Sequence, residues 1–153
     1  MTPVSQEKKN WYGLKMGIPI WASEWINEHV KKDQIIRKPD PKTTHITLIY
    51  GNKVSEYNEI HELVSKQKIT TEDYQFTTIE FVQPKHTLKS GEAYWVLKID
   101  SPKLLKLKRE LETQYLGNPS DIQLHLTLAT VRRIDALEEN LGNFSFLIRL
   151  RET

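Results

Sequence analysis

The sequence predicts one α+β domain of two lobes, on three observations. The order strand, helix, strand occurs twice along 153 residues. The closing strand of each set carries a His-x-Thr triplet, "HIT" at 45–47 and "HLT" at 125–127. The two triplets lie close to half the chain apart, as expected of a duplication folded about a pseudo-twofold axis. No stretch rich in Gly, Ser or Pro is long enough to separate independent domains. The expected organisation is therefore a single domain over 1–153, with an N-terminal lobe of about 10–84 and a C-terminal lobe of about 93–150.

The elements follow in order. "NWYGLKMG" (10–17) alternates as a first strand, stopped by Gly17 and Pro19. "SEWINEHVKK" then reads as a helix capped by Ser23, with Trp25, Ile26, His29 and Val30 along one face. Two prolines make "RKPDPKT" (37–43) a loop. The first His-x-Thr strand follows, then a helix at 55–67 with Tyr57, Ile60, Leu63 and Val64 at helical spacing, and a strand at 73–84. In the second half "AYWVLKID" (93–100) is a strand. The helix at 101–117 has Ser101 as cap, Pro102 in its first turn and Gly117 at its end. Leu104, Leu107, Leu111 and Tyr115 form its apolar stripe. The second His-x-Thr strand, a short helix around "DALEEN" (135–140) and a last strand "NFSFLIRL" (143–150) complete the chain.

Composition narrows the chemistry. With 38% hydrophobic and 27% charged residues the chain has the make-up of a globular protein. No apolar run approaches the ~18 residues of a membrane span, and "MTPVSQEKKN" lacks the apolar core of a signal peptide, so a cytoplasmic location is expected. The absence of cysteine removes disulfides, thiolate nucleophiles and Cys-ligated zinc. A net charge of +2 suits small anionic ligands without calling for long nucleic acid.

Residues i and i+2 of a strand share a face, roughly 6.5 to 7 Å apart at Cα. His45 and Thr47 therefore project together, as do His125 and Thr127, while Ile46, Leu48, Leu126 and Leu128 turn toward the core. Two lobes facing each other bring two imidazoles and two hydroxyls into one cleft. A neutral histidine can take a proton from an attacking hydroxyl, and a protonated one can supply the leaving oxygen. The threonines can donate to the non-bridging phosphate oxygens, where charge sits in the transition state. With five histidines and thirteen threonines, about 0.4 His-x-Thr triplets are expected by chance. One would mean little; two at equivalent places in a repeated order carry weight.

"HITL" and "HLTL" resemble the signature of the two-histidine phosphoesterase superfamily. That superfamily includes RNA 2′,3′-cyclic phosphodiesterases, 2′-5′ oligoadenylate phosphodiesterases, and phage anti-CBASS proteins that destroy cyclic nucleotide alarms. The phrases "HITLIYG" and "WYGLKMG" are most similar to the phage anti-CBASS nucleases. The resemblance implies a bilobal fold, catalysis by His45, Thr47, His125 and Thr127 without metal or other cofactor, and a small cyclic di- or trinucleotide as substrate. It also implies that an aromatic residue of the first strand stacks on a base, and Tyr12 occupies the matching place. Trp11 is its neighbour, but adjacent strand residues face opposite ways, so only one of the two lines the cleft. RNA 2′,3′-cyclic phosphates and 2′-5′ linkages are the alternative substrates. A monomer or small homo-oligomer is expected, with no membrane partner.

Other residues carry less. "HELVS" at 61–65 begins like H-E-x-x-H but has Ser65 where the second zinc ligand belongs. His29 and His61 read as helix-face residues, and His86 or Lys85 as a phosphate contact only if their loop lies near the cleft. Arg37, Lys38, Lys42, Lys53, Arg132 and Arg133 read as solvated surface, some of which could steer an anion.

Overall fold

The structure, a computed structural model, describes residue 3, residues 10–84, 87 and 89–133, and the backbone of 146–151. Its elements are β1 (Trp11–Lys15), α1 (Ile20–His29), β2 (Ile35–Arg37), β3 (His45–Tyr50), α2 (Tyr57–Ser65), β4 (Gln75–Val82), β5 (Glu92–Asp100), α3 (Pro102–Leu116), β6 (His125–Arg132) and β7 (Phe146–Arg151). The "DALEEN" helix lies outside the described residues.

The strands form two sheets. β1 and β3 make an antiparallel pair, and the other five stand in the order β2-β6-β5-β4-β7. Each His-x-Thr strand thus belongs to a different sheet. One continuous core joins them, with Leu14, Ile46, Leu48 and Ile60 on one side and Leu97, Leu126, Leu128 and Val131 on the other. Among the described residues no helix is long and apolar enough to cross a membrane.

Two sequence expectations change. The lobes do not follow the chain halves: β4, assigned to the first, pairs with β5 in the five-stranded sheet, and β2 pairs with β6. The helices cross over as well, since α1 packs on β6 and α3 on β3. Finally α1 starts at Ile20, not after Ser23. The Pro19 carbonyl accepts from the amides of Ala22 (3.1 Å) and Ser23 (3.3 Å), and no side chain caps the helix. The Pro19 φ of −65° makes that entry compatible with the helix that follows.

α3 forms as its sequence demands. The Ser101 hydroxyl accepts from the Leu104 amide at 3.1 Å, Pro102 occupies the first turn, and Gly117 ends the helix at a φ of 88°. Leu104, Leu107 and Leu111 are buried and Tyr115 packs at their edge.

The two ladders share an irregularity that follows from neither alternation nor propensity. In β1–β3 Tyr12 opposes Ile49 and Gly13 opposes Thr47, leaving Leu48 as the extra residue. In β5–β6 Trp95 opposes Ala129 and Val96 opposes Thr127, leaving Leu128. The leucine after each threonine is a bulge. Bulges kink a strand and re-aim the side chains beside them. Here two successive residues turn into the core on each strand, Leu48 with Ile49 and Leu128 with Ala129.

Candidate active site

Of the five residues singled out from sequence, four meet. A cavity of about 290 Å³ is lined by His45, Thr47, His125 and Thr127, with Pro39, Asp40, Thr43 and Thr44 forming one wall. β3 and β6 approach each other there, so the two strands supply histidine and threonine from opposite sheets. All four side chains are half-buried. Among the described residues neither the Thr47 nor the Thr127 hydroxyl makes a hydrogen bond. Buried and half-buried hydroxyls are normally satisfied by protein or water, so this pair is available to a bound group.

The wall from Pro39 to Thr44 is a folded turn. Asp40 Oδ1 accepts from the Lys42 amide at 2.9 Å, and its carbonyl accepts from the Thr43 amide at 3.0 Å. The Thr44 hydroxyl donates to the Met16 carbonyl at 2.5 Å, and the Met16 amide donates back to Thr44 at 2.9 Å, which sets the start of β3. The sequence reading missed Asp40, a carboxylate beside the histidines, because the prolines on either side of it mark only a loop. Among the described residues no three His, Cys, Asp or Glu side chains come close enough together to hold a metal ion.

His125 is held in a defined state. Its Nδ1 lies 2.7 Å from the carbonyl of Gln123, an acceptor only, so Nδ1 carries the hydrogen and Nε2 is the nitrogen that exchanges a proton. Burial pushes its pKa below the ordinary imidazole value; the Gln123 bond opposes this and the positive charge of Lys108 adds to it. Near neutral pH this favours the uncharged ring.

His45 has a different neighbour. The Trp11 indole stacks on it, with ring centroids 4.5 Å apart and planes 22° apart. The indole face fixes the plane of the imidazole that lies on it. Gly13 makes room for this stack: a Cβ there would lie 2.6 Å from the Ile46 carbonyl oxygen, 2.9 Å from the Trp11 ring and 3.1 Å from the His45 ring.

Tyr12 is the correction. It is 1% exposed, and its hydroxyl shares a hydrogen bond of 2.9 Å with His61 Nδ1 beneath the sheet. In the ladder Tyr12 opposes the core residue Ile49, whereas Trp11 opposes Tyr50, which is 67% exposed. The cleft side of β1 is therefore Trp11, Gly13 and Lys15, and the aromatic residue of the first strand beside the cavity is Trp11.

Several of the other candidates have structural partners. Arg37 makes a two-pronged contact with Glu92 (3.0 and 2.9 Å), and Lys38 donates to Asn27 at 2.6 Å. Arg133 is buried and donates to the Pro84 carbonyl at 2.8 Å. His29 stacks on Trp25. Lys85 and His86 lie outside the described residues.

Fold and site together define a two-sheet α+β protein with a histidine and a threonine from each sheet at one cavity. No family model matches this chain. No curated protein matches it significantly. Among solved structures the chain is similar to E. coli LigT complexed with 3′-AMP, at 16% identity and a TM-score of 0.47, over 97% of this chain and 99% of that one.

Proposed function

We propose that the protein is a phosphodiesterase of the two-histidine type, and that it opens 3′-5′ linkages of cyclic di- or trinucleotides. The observation that carries the reading is the single cavity shared by His45, Thr47, His125 and Thr127. No other arrangement on the described surface pairs two titratable imidazoles with two uncommitted hydroxyls.

The ribose 2′-hydroxyl beside the scissile phosphate is the nearest nucleophile to a 3′-5′ linkage. His125, uncharged, takes its proton at Nε2. O2′ then forms the bond to phosphorus, the P–O5′ bond breaks with its electron pair going to O5′, and the His45 imidazolium protonates that oxygen. The first product ends in a 2′,3′-cyclic phosphate and a free 5′-hydroxyl. Thr47 and Thr127 donate to the non-bridging oxygens as charge builds there. The donor set is suited to acid-base chemistry and requires no metal in this scheme.

The resemblance of "HITLIYG" and "WYGLKMG" to phage anti-CBASS nucleases extends the reading to biology: destruction of a cyclic nucleotide alarm in the cytoplasm of an infected cell, by a monomer or small homo-oligomer. The testing experiment incubates the protein, in excess EDTA, with a panel of cyclic di- and trinucleotides, a 2′-5′ linked oligoadenylate and an RNA ending in 2′,3′-cyclic phosphate, and separates the products by chromatography. Cleavage of cyclic nucleotides supports the reading; turnover confined to the 2′-5′ oligoadenylate or the RNA end moves the substrate to the alternative class; no cleavage of any overturns it.

A further inference from the structure

A larger cavity, of about 370 Å³, is lined by Gln123 and Leu124, the two residues that lead into His125. It is bounded by the end of β5, the first turns of α3 and the loop that leads into β6. Lys98 stands directly opposite His125 in the β5–β6 ladder. Gln123, whose carbonyl orients the His125 ring, lines the cavity, and the Ile99 amide ties β5 to the next residue, Leu124, at 3.1 Å.

The loop forming this wall is pinned from beneath. The buried Glu112 carboxylate accepts from Lys108 Nζ at 2.7 Å, from the Ser120 hydroxyl at 2.6 Å and from the Ser120 amide at 3.2 Å.

Its chemistry is that of a nucleoside. Lys98 and Arg109 bring two positive charges, and Asp100 and Asp121 two negative ones, so the lining carries no net attraction for a second phosphate. The carboxylates can accept from base amino groups and ribose hydroxyls. Leu105 and Ile122 supply an apolar wall for the base, and Ile122 is 38% exposed there. Among the described residues Arg109 makes no hydrogen bond or ion pair, which leaves its planar guanidinium open to lie on a base.

We infer that this second cavity seats one of the two nucleosides flanking the scissile phosphate, making the substrate at least a dinucleotide held across His125. The inference rests on the phosphodiesterase reading. A substrate so held spans both cavities, with its phosphate between the two histidines and one base beyond His125.

The test is an NMR titration of isotope-labelled wild-type protein with two probes, inorganic phosphate and the 2′-deoxy form of cyclic di-AMP, which lacks the internal nucleophile. Phosphate should shift only signals of the histidine cavity. The dinucleotide should in addition shift the methyls of Leu105 and Ile122. Arg109→Ala should weaken dinucleotide binding at least fivefold more than Arg132→Ala, a loss of the same charge at the exposed far end of β6. Dinucleotide shifts confined to the histidine cavity, equal effects of the two arginine variants, or no dinucleotide binding at all would each overturn the inference. Binding is read here without turnover, so failure of the catalytic reading shows separately, as absence of products from the ribose substrates.

Discussion

Trp11 and Tyr12 are adjacent aromatic residues with opposite surroundings, and they should fail in different ways when removed. Trp11→Ala strips the ring from His45 and should lower turnover about tenfold with little loss of stability, because the side chain is only half-buried. Tyr12→Ala opens the core and should cost about 3 to 5 kcal/mol in denaturant unfolding. A destabilised Trp11→Ala with an unaffected Tyr12→Ala would reverse the assignment. Alternation along the strand requires that one of the two faces the cleft, but does not decide which one. The phase depends on cross-strand register, and the signal that could have settled it is Gly13. A glycine two residues from a tryptophan, opposite the His-x-Thr strand, leaves the space in which the indole lies over the histidine.

His125 makes a second prediction at this scale. Its pKa is depressed by burial, so the unfolded chain binds the proton more readily than the folded one. Stability from this residue is fully present above the unfolded value, ~6.5, and is lost as pH falls through the folded value. His125→Gln should flatten that part of the unfolding free energy against pH. The same depression places the acid limb of the rate profile below ~6.5, although the limbs belong to the coupled pair of histidines. An acid limb at or above that value, or an identical stability profile in His125→Gln, would contradict the account.

At the level of elements, α3 shows what periodicity reveals and hides. Its caps and leucine stripe were readable because each residue type has one favoured place in a helix. Lys108 and Glu112 were not, since a Lys and a Glu four apart usually lie on a solvated face. Here they are 4% and 3% exposed and carry the loop before β6. Glu112→Ala leaves the Lys108 charge buried without its partner and should destabilise by about 3 to 5 kcal/mol. Replacing both, Lys108→Met with Glu112→Leu, should recover most of that loss in the same denaturation experiment. A double variant as unstable as the single one would mean that Ser120, not the charge pair, accounts for the cost.

Across the whole molecule the halves of the chain are interlaced. β4 and β2 leave the first half to join the second sheet, and α1 and α3 exchange places over β6 and β3. The duplicated order and the paired His-x-Thr strands were visible in sequence, and so was the cavity they form. Which sheet β4 joins was not, because alternation states the face of a strand and not its neighbour. Neither was the pair of bulges at Leu48 and Leu128, which arise from the ladder itself. Interlacing predicts that fragments 1–91 and 92–153 remain unfolded when expressed separately, judged by NMR dispersion. A cooperatively folded fragment would contradict this topology.

In the proposed mechanism two imidazoles move protons to and from a ribose 2′-hydroxyl and its leaving group. The most direct measurement compares a cyclic dinucleotide with its 2′-deoxy analogue in excess EDTA, reading products by chromatography and mass spectrometry. The ribose form should be cleaved to a 2′,3′-cyclic phosphate end, the deoxy form should stay intact, and His45→Ala or His125→Ala should lose about 10² to 10⁴-fold. Equal cleavage of both nucleotides, or inhibition by EDTA that added zinc or magnesium reverses, would contradict this mechanism.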